Sequence, residues 1–554
     1  MSPNANSRHG GPPSDFPGPD GRRTFPWLLM PSITDTIFIL TLFAMTCGAL
    51  APRLLGDADI GWHIRNGELM LRTHAITRAD PFSSSMQGKP WYSWEWLYDV
   101  GAAAAHQWAG LNGVVFISAI VIAFTFALLF RLSLARGANI IMALVFLALA
   151  FAAAAIHLLA RPHVLSWLLL IVWFQVLDSA QAKLSSSPAG ANPYYQTHLF
   201  WLPLLMLFWV NVHGEFLLGF VLLGIYLISG IVQFFFAGGT SSSEREKIAG
   251  WLRHLATVTA VSFLVTLINP YGYRLHFHIY SYLSNRWLID HIEEFQSPNF
   301  HGWAQQSFVL LVLLAIVTLA SAPKQLNLAR ILVLIFAVHS GFYAARNLPT
   351  SCMLLTLILA PAFSQVSATR VSSAQGVPAF RFAARLSIFL VRLRCFAQRM
   401  SAIEFQLRGH IWPVIAVLCG VLVCARGGRL ASTPIMNAHF DSSHFPVEAS
   451  NFIASHKIAG PVFAPDAWGG YLIYRLAPNT RVFLDDRHDL YGEKFLQDYV
   501  KAVSVSPGWE AILDREQIHW VLAPSGSSLA SILRQTPPWR LIHEDPTSLF
   551  FERE

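Results

Sequence analysis

Long apolar runs separated by short polar segments are the dominant pattern of the sequence. A helix needs about 20 apolar residues to cross the hydrocarbon core of a bilayer, and about eleven runs approach that length. We therefore expect a mainly α-helical, polytopic membrane protein. The predicted spans are 32–51, 111–133, 139–159, 163–180, 198–212, 214–237, 251–269, 305–322, 328–345, 348–366 and 411–428.

The composition agrees with a membrane bundle. The chain has 554 residues, of which 54% are hydrophobic and 13% are charged, whereas a soluble domain carries about 25% charged residues. The net charge of +7 is expected to lie in basic cytoplasmic loops, not in a surface that binds nucleic acid.

Lysine and arginine concentrate in alternate loops, most strongly in 367–410, which predicts that these loops face the cytoplasm. Residues 1–31, rich in Pro, Gly, Ser and Asn, are then expected to be a disordered cytoplasmic N-terminus. The bundle occupies 32–428. With an odd number of spans, the loop 52–110 and the tail 429–554 are expected to lie on the outer side of the membrane.

The tail 429–554 has a different pattern. "GPVFAPDAWGGYLIYRL", "TRVFLDDRHDLYG", "IHWVLAP" and "SLFFERE" are expected to form short strands, whereas "FPVEASNFIASH" and "EKFLQDYVKAV" have helical periodicity. The tail is therefore predicted to be a small soluble α/β domain. In the loop 52–110, an amphipathic helix at about Ser93–Gln107 is expected to lie along the membrane surface.

The first outer loop carries a cluster of ionisable residues, "GDADIGWHIRNGE", directly after the first apolar run. Asp57 and Asp59 form a D-x-D pair, which can coordinate a divalent cation or provide a general base for an acceptor hydroxyl. A loop turn without function has the same pattern. His63 lies one helical turn after Asp59, and Arg65 follows, which favours a shared site. Ionisable groups beside hydrocarbon are costly and often functional.

Basic residues recur at the other outer turns. Arg161 and His163 flank Pro162, which fixes the first turn of the next helix, and a helix N-terminus beside an arginine is suited to phosphate. Arg346 lies in a similar turn, and His213 interrupts two apolar runs. These arginines can instead snorkel to the interface, and His213 can belong to a tight turn. Because all these turns fall on one membrane face, we expect them to bind substrate jointly.

Two further acidic segments suggest chemistry less strongly. Glu293 and Glu294 lie in a loop of soluble composition, for which a solvated surface is the expected environment. The segment Asp485–Asp489, "DDRHD", follows a predicted strand, and we interpret it as a charged turn.

These motifs together resemble the GT-C superfamily of membrane glycosyltransferases, in particular the RgtA/B/C/D-like and protein-mannosyltransferase-like branch. The resemblance covers about residues 32–366 and rests on an Asp-bearing first outer loop followed by many spans with polar outer turns. It implies that Asp57 or Asp59 is the base or a metal ligand. It also implies a donor phosphate near Arg161, His163 or Arg346.

A second resemblance covers nearly the whole chain. Bacterial membrane proteins of unassigned activity combine such a bundle with an outer tail containing an "aWGGYL…vFlDdR" pattern, which here is Ala467–Leu472 and Val482–Arg487.

The resemblance implies an inverting glycosyltransferase. A sugar would move from a polyprenyl-phosphate-linked donor to a lipid, glycan or protein acceptor, and a divalent cation such as Mg²⁺ or Mn²⁺ is optional. Two alternatives stay open, namely a non-catalytic scaffold or sensor and a transporter of lipid-linked glycans. A transporter favours charged groups near the bilayer midplane, whereas the motifs here gather at one edge.

Overall fold

The computed structural model describes residues 29–187, 198–236, 242–321, 326–373 and 381–554. The expected disorder of 1–31 therefore falls, up to residue 28, outside the described residues. The described part is mainly helical, with a small sheet near the C-terminus.

Fifteen helices form the bundle and its connections within the described residues. They are α1 Ile33–Thr46, α2 Asp59–Thr73, α3 Trp96–Ala135, α4 Ile140–Ala154, α5 His163–Ser186, α6 Leu202–Val210, α7 Leu217–Phe236, α8 Ser242–Val265, α9 Arg274–Ser284, α10 Arg286–His291, α11 Trp303–Ser321, α12 Leu328–Tyr343, α13 Leu348–Ser373, α14 Arg381–Gln406 and α15 Ile411–Ala425. Short 3₁₀ turns join several of them.

Every predicted apolar run coincides with an apolar helix. Seven helices of the described chain are long and apolar enough to cross a membrane, or eight if the bent pair Val391–Gln406 and Ile411–Ala425 is one span. Three predicted spans are shorter helices, Ile33–Thr46, His198–Val210 and Leu328–Tyr343. Apolar composition is a local property, which explains why these elements are predictable from sequence.

The centre of the bundle is closely packed. The largest fully buried side chains include Trp167, Trp173 and Phe174 of α5 and Phe126 of α3. On outer helices, apolar side chains such as Phe43 are instead exposed, as expected where a helix faces lipid. This packing holds the ends of α3 and α5 in fixed positions.

The helix predicted at Ser93–Gln107 is the first part of α3. Ala109 and Gly110 have non-helical backbone angles inside the element, and Gly110 has φ = +60°. Glycine adopts this conformation without a steric penalty, so the chain bends there and continues into the span. The segment before the bend places Glu95 and Asp99 beside α2.

The C-terminal region combines helices with short strands. The elements are β1 Arg429–Leu430, β2 Thr433–Pro434, α16 Val447–Ser455, β3 Val462–Phe463, α17 Asp466–Leu476, α18 His488–Tyr491, α19 Glu493–Val503, α20 Trp509–Arg515, β4 Trp520–Pro524, α21 Ser528–Leu533, β5 Trp539–Glu544 and β6 Ser548–Arg553. Four of the strands form a sheet of order β3-β4-β6-β5, in which only the β3–β4 pair is parallel.

Two of the four predicted strands need correction. In "GPVFAPDAWGGYLIYRL" only β3 is a strand, and the remainder forms α17. "TRVFLDDRHDLYG" contributes isolated bridges at Val482. The prediction of a short apolar strand was wrong for α17 because its apolar residues are buried on several sides, so their spacing does not distinguish a helix from a strand. The two predicted helices and the strands β4 and β6 are confirmed.

The C-terminal region packs directly on the loop 52–110. Ser83 pairs with Val482 in a parallel bridge, and the Ser84 amide donates to the Val482 carbonyl at 2.9 Å. A Cβ atom on Gly470 of α17 would lie 2.7 Å from the Ala58 carbonyl carbon. This glycine therefore permits the close approach of α17 to the start of α2, where Asp57 and Asp59 lie.

Candidate active site

A cavity of 840 Å³ lies between the bundle and the C-terminal region. Both parts of the chain supply its polar lining. The bundle and its loops provide Asp57, Asp59, Glu95, Arg161, His163, His213, Glu215, Glu294 and Arg346, and the C-terminal region provides Asp466, Asp486, Arg487, His488, Asp489 and Tyr499.

Asp57 and Asp59 meet Arg161 in this cavity. The Asp59 amide donates to Asp57 Oδ1 at 2.8 Å, which fixes the turn before α2. The Ala160 amide donates to the Leu54 carbonyl at 2.8 Å and holds the turn before α5 against it. Arg161 Nη1 then lies 3.1 Å from Asp57 Oδ2, while Nη2 pairs with Asp59. The structure thus brings together three of the sequence-predicted site residues.

The two aspartates differ in acidity. Burial and the neighbouring Asp59 raise the pKa of Asp57 to about 6, although Arg161 opposes the shift. For Asp59, burial is outweighed by Arg161 and by a hydrogen bond with Asp486, so its pKa is lowered. Asp57 is therefore poised to exchange a proton near neutral pH, whereas Asp59 stays ionised.

Asp486 adds a third carboxylate from the C-terminal region. Its ligand atom and those of Asp57 and Asp59 lie within 4.8 Å of one another. Burial and Asp59 raise the pKa of Asp486 well above its usual range. The interpretation of "DDRHD" as a plain charged turn is therefore wrong for Asp486, because its carboxylate lies in the cavity beside those of Asp57 and Asp59.

The same turn is structural at its other positions. Arg487 is buried and donates to both carboxylate oxygens of Asp485 at 2.7 Å. It also donates to Asp80 of the loop 52–110 at 2.8 Å and lies 4.4 Å from the centroid of the Trp91 ring. This anchor fixes the backbone on either side of Asp486.

The three carboxylates fit a divalent cation. Hard oxygen ligands at this separation suit Mg²⁺ or Mn²⁺. Asp486 Oδ1 is buried and has no hydrogen-bond partner among the described residues, so it can bind a cation without losing an existing hydrogen bond. Asp57, Asp59 and Asp486 are the residues that would hold the ion.

Glu294 joins Arg346 to this cluster. Arg346 Nη1 lies 3.2 Å from Glu294 Oε1, and Arg161 Nη1 lies 3.7 Å from Oε2. Despite burial, Arg346 and Arg161 lower the pKa of Glu294. The solvated surface predicted for Glu294 is therefore wrong, because its carboxylate faces two arginines of the bundle. Glu293 is exposed.

Glu95 lies between two histidines. Its carboxylate oxygens are 3.8 Å from His63 Nε2 and 3.5 Å from His213 Nε2. Burial and Asp99 raise the pKa of Glu95 well above its usual value, so a protonated carboxyl is favoured. Glu95 belongs to the sequence "WYSWEW" (91–96). The position of Glu95 relative to the two histidines depends on the packing of α3 against α2 and α5, which the sequence alone does not reveal.

His63 does not bond to Asp59 as its spacing suggested. Its Nδ1 lies 2.5 Å from Asp99 Oδ1, and Asp99 also accepts from Asn66 at 2.6 Å. α2 and α3 approach closely at Gly67, where a Cβ atom would collide with the Asp99 carbonyl. His63 therefore stands behind the cavity wall, where it contacts the site through Glu95.

The remaining predicted residues divide between the cavity and its surroundings. His213 Nδ1 lies 2.9 Å from Ser166 Oγ, and burial lowers the pKa of His213. His163 lines the cavity, with Nε2 at 2.8 Å from the His157 carbonyl. Arg65 points away and donates to the Tyr474 carbonyl of α17 at 2.9 Å. Arg65 thus joins α2 to the C-terminal region.

A further pair in the C-terminal wall was not predicted. His488 Nε2 lies 3.0 Å from Asp466 Oδ2, and the Asp466 amide donates to the Tyr499 hydroxyl at 2.8 Å. Asp466 outweighs burial and raises the pKa of His488. Sequence spacing contains no signal for this pair, because α17 and α18 are brought together by the sheet.

Comparisons with known proteins give structural matches. No protein-family model matches the chain, and no curated protein is significantly similar to it. The chain is similar to the crystal structure of ArnT from Cupriavidus metallidurans in the apo state, with probability 1.00, TM-score 0.42 and 13% identity. It is also similar to ArnT bound to undecaprenyl phosphate, with TM-score 0.41 and 14% identity. Each match covers 94% of this chain and 96% of the other.

Proposed function

We propose that the protein is a membrane glycosyltransferase that takes its sugar from a polyprenyl-phosphate-linked donor. The observation that carries the proposal is the position of Asp57, a carboxylate with pKa about 6, 3.1 Å from the Arg161 guanidinium. A base poised near neutrality beside a cation suited to phosphate is what direct glycosyl transfer requires.

The reaction would proceed by direct displacement. An acceptor hydroxyl attacks the anomeric carbon of the donor sugar, and Asp57 takes the hydroxyl proton. The bond between the anomeric carbon and the phosphate oxygen breaks, and its electron pair leaves with the polyprenyl phosphate. A single displacement of this kind inverts the anomeric carbon.

The two arginines would stabilise the leaving phosphate. Arg161 and Arg346 present guanidinium groups to the same part of the cavity, where both contact Glu294. Guanidinium groups bind phosphate oxygens through charge-assisted hydrogen bonds, and their effect is strongest on charge that develops during bond breaking. Asp59 would hold Arg161 in position through their ion pair.

A divalent cation would be held by Asp57, Asp59 and Asp486. When bound, it would neutralise negative charge on the donor phosphate and lower the pKa of a bound hydroxyl. The negative charge of the surrounding carboxylates favours such an ion.

The donor class follows the resemblance to the GT-C superfamily, and the ArnT neighbour has been solved bound to undecaprenyl phosphate. We further propose that the site faces the outer side of the bacterial cytoplasmic membrane, with the N-terminus in the cytoplasm and 429–554 outside. The acceptor would be a lipid, a glycan or a protein. His213, His163 and Glu95 would contact the sugar from the bundle side.

The test compares cells and purified protein. In cells, the envelope lipids and glycans of a deletion strain are compared with those of strains that carry the wild-type chain, Asp57→Asn or Asp59→Asn. In vitro, the purified proteins are assayed for sugar transfer from radiolabelled polyprenyl-phosphate sugars. We expect the deletion to remove one glycan modification and Asp57→Asn to lower transfer about 100- to 10,000-fold. Asp290→Asn, a change at an exposed aspartate of α10, is the matched control.

Undiminished transfer in both Asp57→Asn and Asp59→Asn would remove these residues from the mechanism. A phenotype that requires 429–554 but tolerates both substitutions would favour the scaffold or sensor alternative.

A further inference from the structure

Glu294 occupies the place between the two arginines. Its carboxylate oxygens point in different directions, with Oε1 at 3.2 Å from Arg346 Nη1 and Oε2 at 3.7 Å from Arg161 Nη1. The two arginines come from different turns of the bundle, before α5 and before α13. A single anion therefore bridges two separate parts of the site.

The segment that carries Glu294 is fastened to the Arg346 turn. The Ala345 amide donates to the Gln296 carbonyl at 2.9 Å, and the Arg346 guanidinium lies 4.7 Å from the centroid of the Phe295 ring. The 3₁₀ turn Glu293–Phe295 lies in the connection between the short helix α10 and helix α11. The contact of Glu294 with the arginines is made by side chains that line the cavity.

A carboxylate in this position resembles a phosphate in its chemistry. Both present anionic oxygens that accept hydrogen bonds from guanidinium groups. Arg161 already faces Asp57 and Asp59, so a phosphate added beside an ionised Glu294 would meet like charge on several sides. Like charges placed together in a partly dehydrated site oppose binding.

We propose that Glu294 is a built-in competitor for the donor phosphate. While the site is empty it pairs with Arg346 and, together with Asp57 and Asp59, with Arg161, and the phosphate of a polyprenyl-linked donor replaces it. The inference rests on the proposed function, since it assumes that these arginines receive a phosphate.

The competition has its greatest effect after transfer. The donor phosphate is a diester, whereas the released polyprenyl phosphate is a monoester that carries more negative charge near neutral pH. Two arginines would therefore hold the product more tightly than the donor. The return of Glu294 to the arginines favours product release, because it supplies the anion that the departing phosphate removes.

The first experiment measures binding of decaprenyl phosphate to the full chain in detergent. We expect Glu294→Gln to lower the Kd about 5- to 30-fold relative to wild type, because the amide keeps the shape of the side chain and removes the competing charge. Asp290→Asn, which removes the same charge at an exposed position of α10 outside the cavity lining, is expected to leave the Kd unchanged. An unchanged or weakened affinity in Glu294→Gln would overturn the inference.

Two further arms keep the result interpretable. Glu294→Asp retains the charge on a shorter side chain, so its affinity for decaprenyl phosphate is expected to lie between those of wild type and Glu294→Gln. This second variant keeps the test valid if Glu294→Gln does not fold. Inorganic phosphate is measured in parallel. Tightening for inorganic phosphate without tightening for decaprenyl phosphate would contradict a lipid-linked ligand.

Turnover gives an independent readout. With a transferable donor, Glu294→Gln is expected to lower KM and also kcat, because product release becomes slower. A lost ion pair that mattered only for folding would not increase affinity. If neither wild type nor any variant binds decaprenyl phosphate, the proposed donor class fails. If Glu294→Gln tightens binding but no protein transfers sugar, the competition stands and the proposed transfer reaction fails.

Discussion

Replacing Gly470 with alanine tests whether the C-terminal region positions the aspartates. A Cβ atom at residue 470 would lie 2.7 Å from the Ala58 carbonyl carbon and 3.2 Å from the Asp59 amide nitrogen. Ordinary van der Waals contact begins at 3.4 Å. The Ala58 carbonyl oxygen would lie closer still, so the two segments must separate by about 1 Å, and overpacking of this kind costs about 1–3 kcal/mol of folding free energy.

The displaced segment carries Asp57 and Asp59, so the substitution moves their carboxylates relative to Arg161. A misplacement of about 1 Å can lower a reaction rate roughly 100-fold. We therefore expect kcat for sugar transfer to fall about 10- to 100-fold in Gly470→Ala, while the thermal unfolding midpoint decreases only slightly.

Initial rates of transfer and thermal unfolding of the purified protein check this expectation. Gly526→Ala is the matched control, because a Cβ atom there meets nothing within 4 Å and the residue lies in the same C-terminal region. Wild-type kcat in a well-folded Gly470→Ala protein would contradict this expectation. α17 would then contact the site without determining its geometry.

Three further predictions concern acidity, anchoring and metal. The pKa of Asp57 is raised to about 6, and a protonated carboxyl cannot accept the hydroxyl proton. We therefore expect kcat/KM to be constant at pH values above this pKa and to fall about tenfold per pH unit below it. Rates measured from pH 5 to 8 check this, and Asp57→Asn should abolish the pH dependence. Arg487→Met should destabilise the C-terminal region by about 3–5 kcal/mol because it leaves Asp485 and Asp80 buried without their cation. Limited proteolysis measures this effect, with the exposed Arg426→Met as control. Millimolar Mn²⁺ should raise the thermal unfolding midpoint of wild type but not of Asp486→Asn, and an equal shift in both would exclude the carboxylate cluster as the ion site.

The bundle was predictable because hydropathy is encoded locally. Each apolar run of the sequence corresponds to a helix in the structure. The loop 52–110 was also predicted to carry chemistry, because ionisable residues beside hydrocarbon are costly and often functional, and its role stays a prediction. The pairing of Arg161 with Asp57 and Asp59 agrees with the expectation that the polar turns meet on one face.

Residues that depend on long-range packing were not identified. Asp486 and Glu294 looked like ordinary surface acids because their partners are distant in sequence and reach them only through the folded chain. The same reason explains His63. Its helical spacing pointed to Asp59, but the close approach of α3 at Gly67 offers Asp99 instead. Local periodicity predicts which face a residue occupies, not which element packs against that face.

The contact between α2 and α17 has a consequence for biosynthesis. Arg65 and the Tyr474 carbonyl that it binds are 409 residues apart, and chains are synthesised at about 5–20 residues per second. The aspartates are therefore made roughly 20–80 s before the residues that complete their cavity. During that interval the partly inserted chain carries Asp57 and Asp59 without the second wall of their cavity, so the cavity forms only after α17, α18 and α19 have been made.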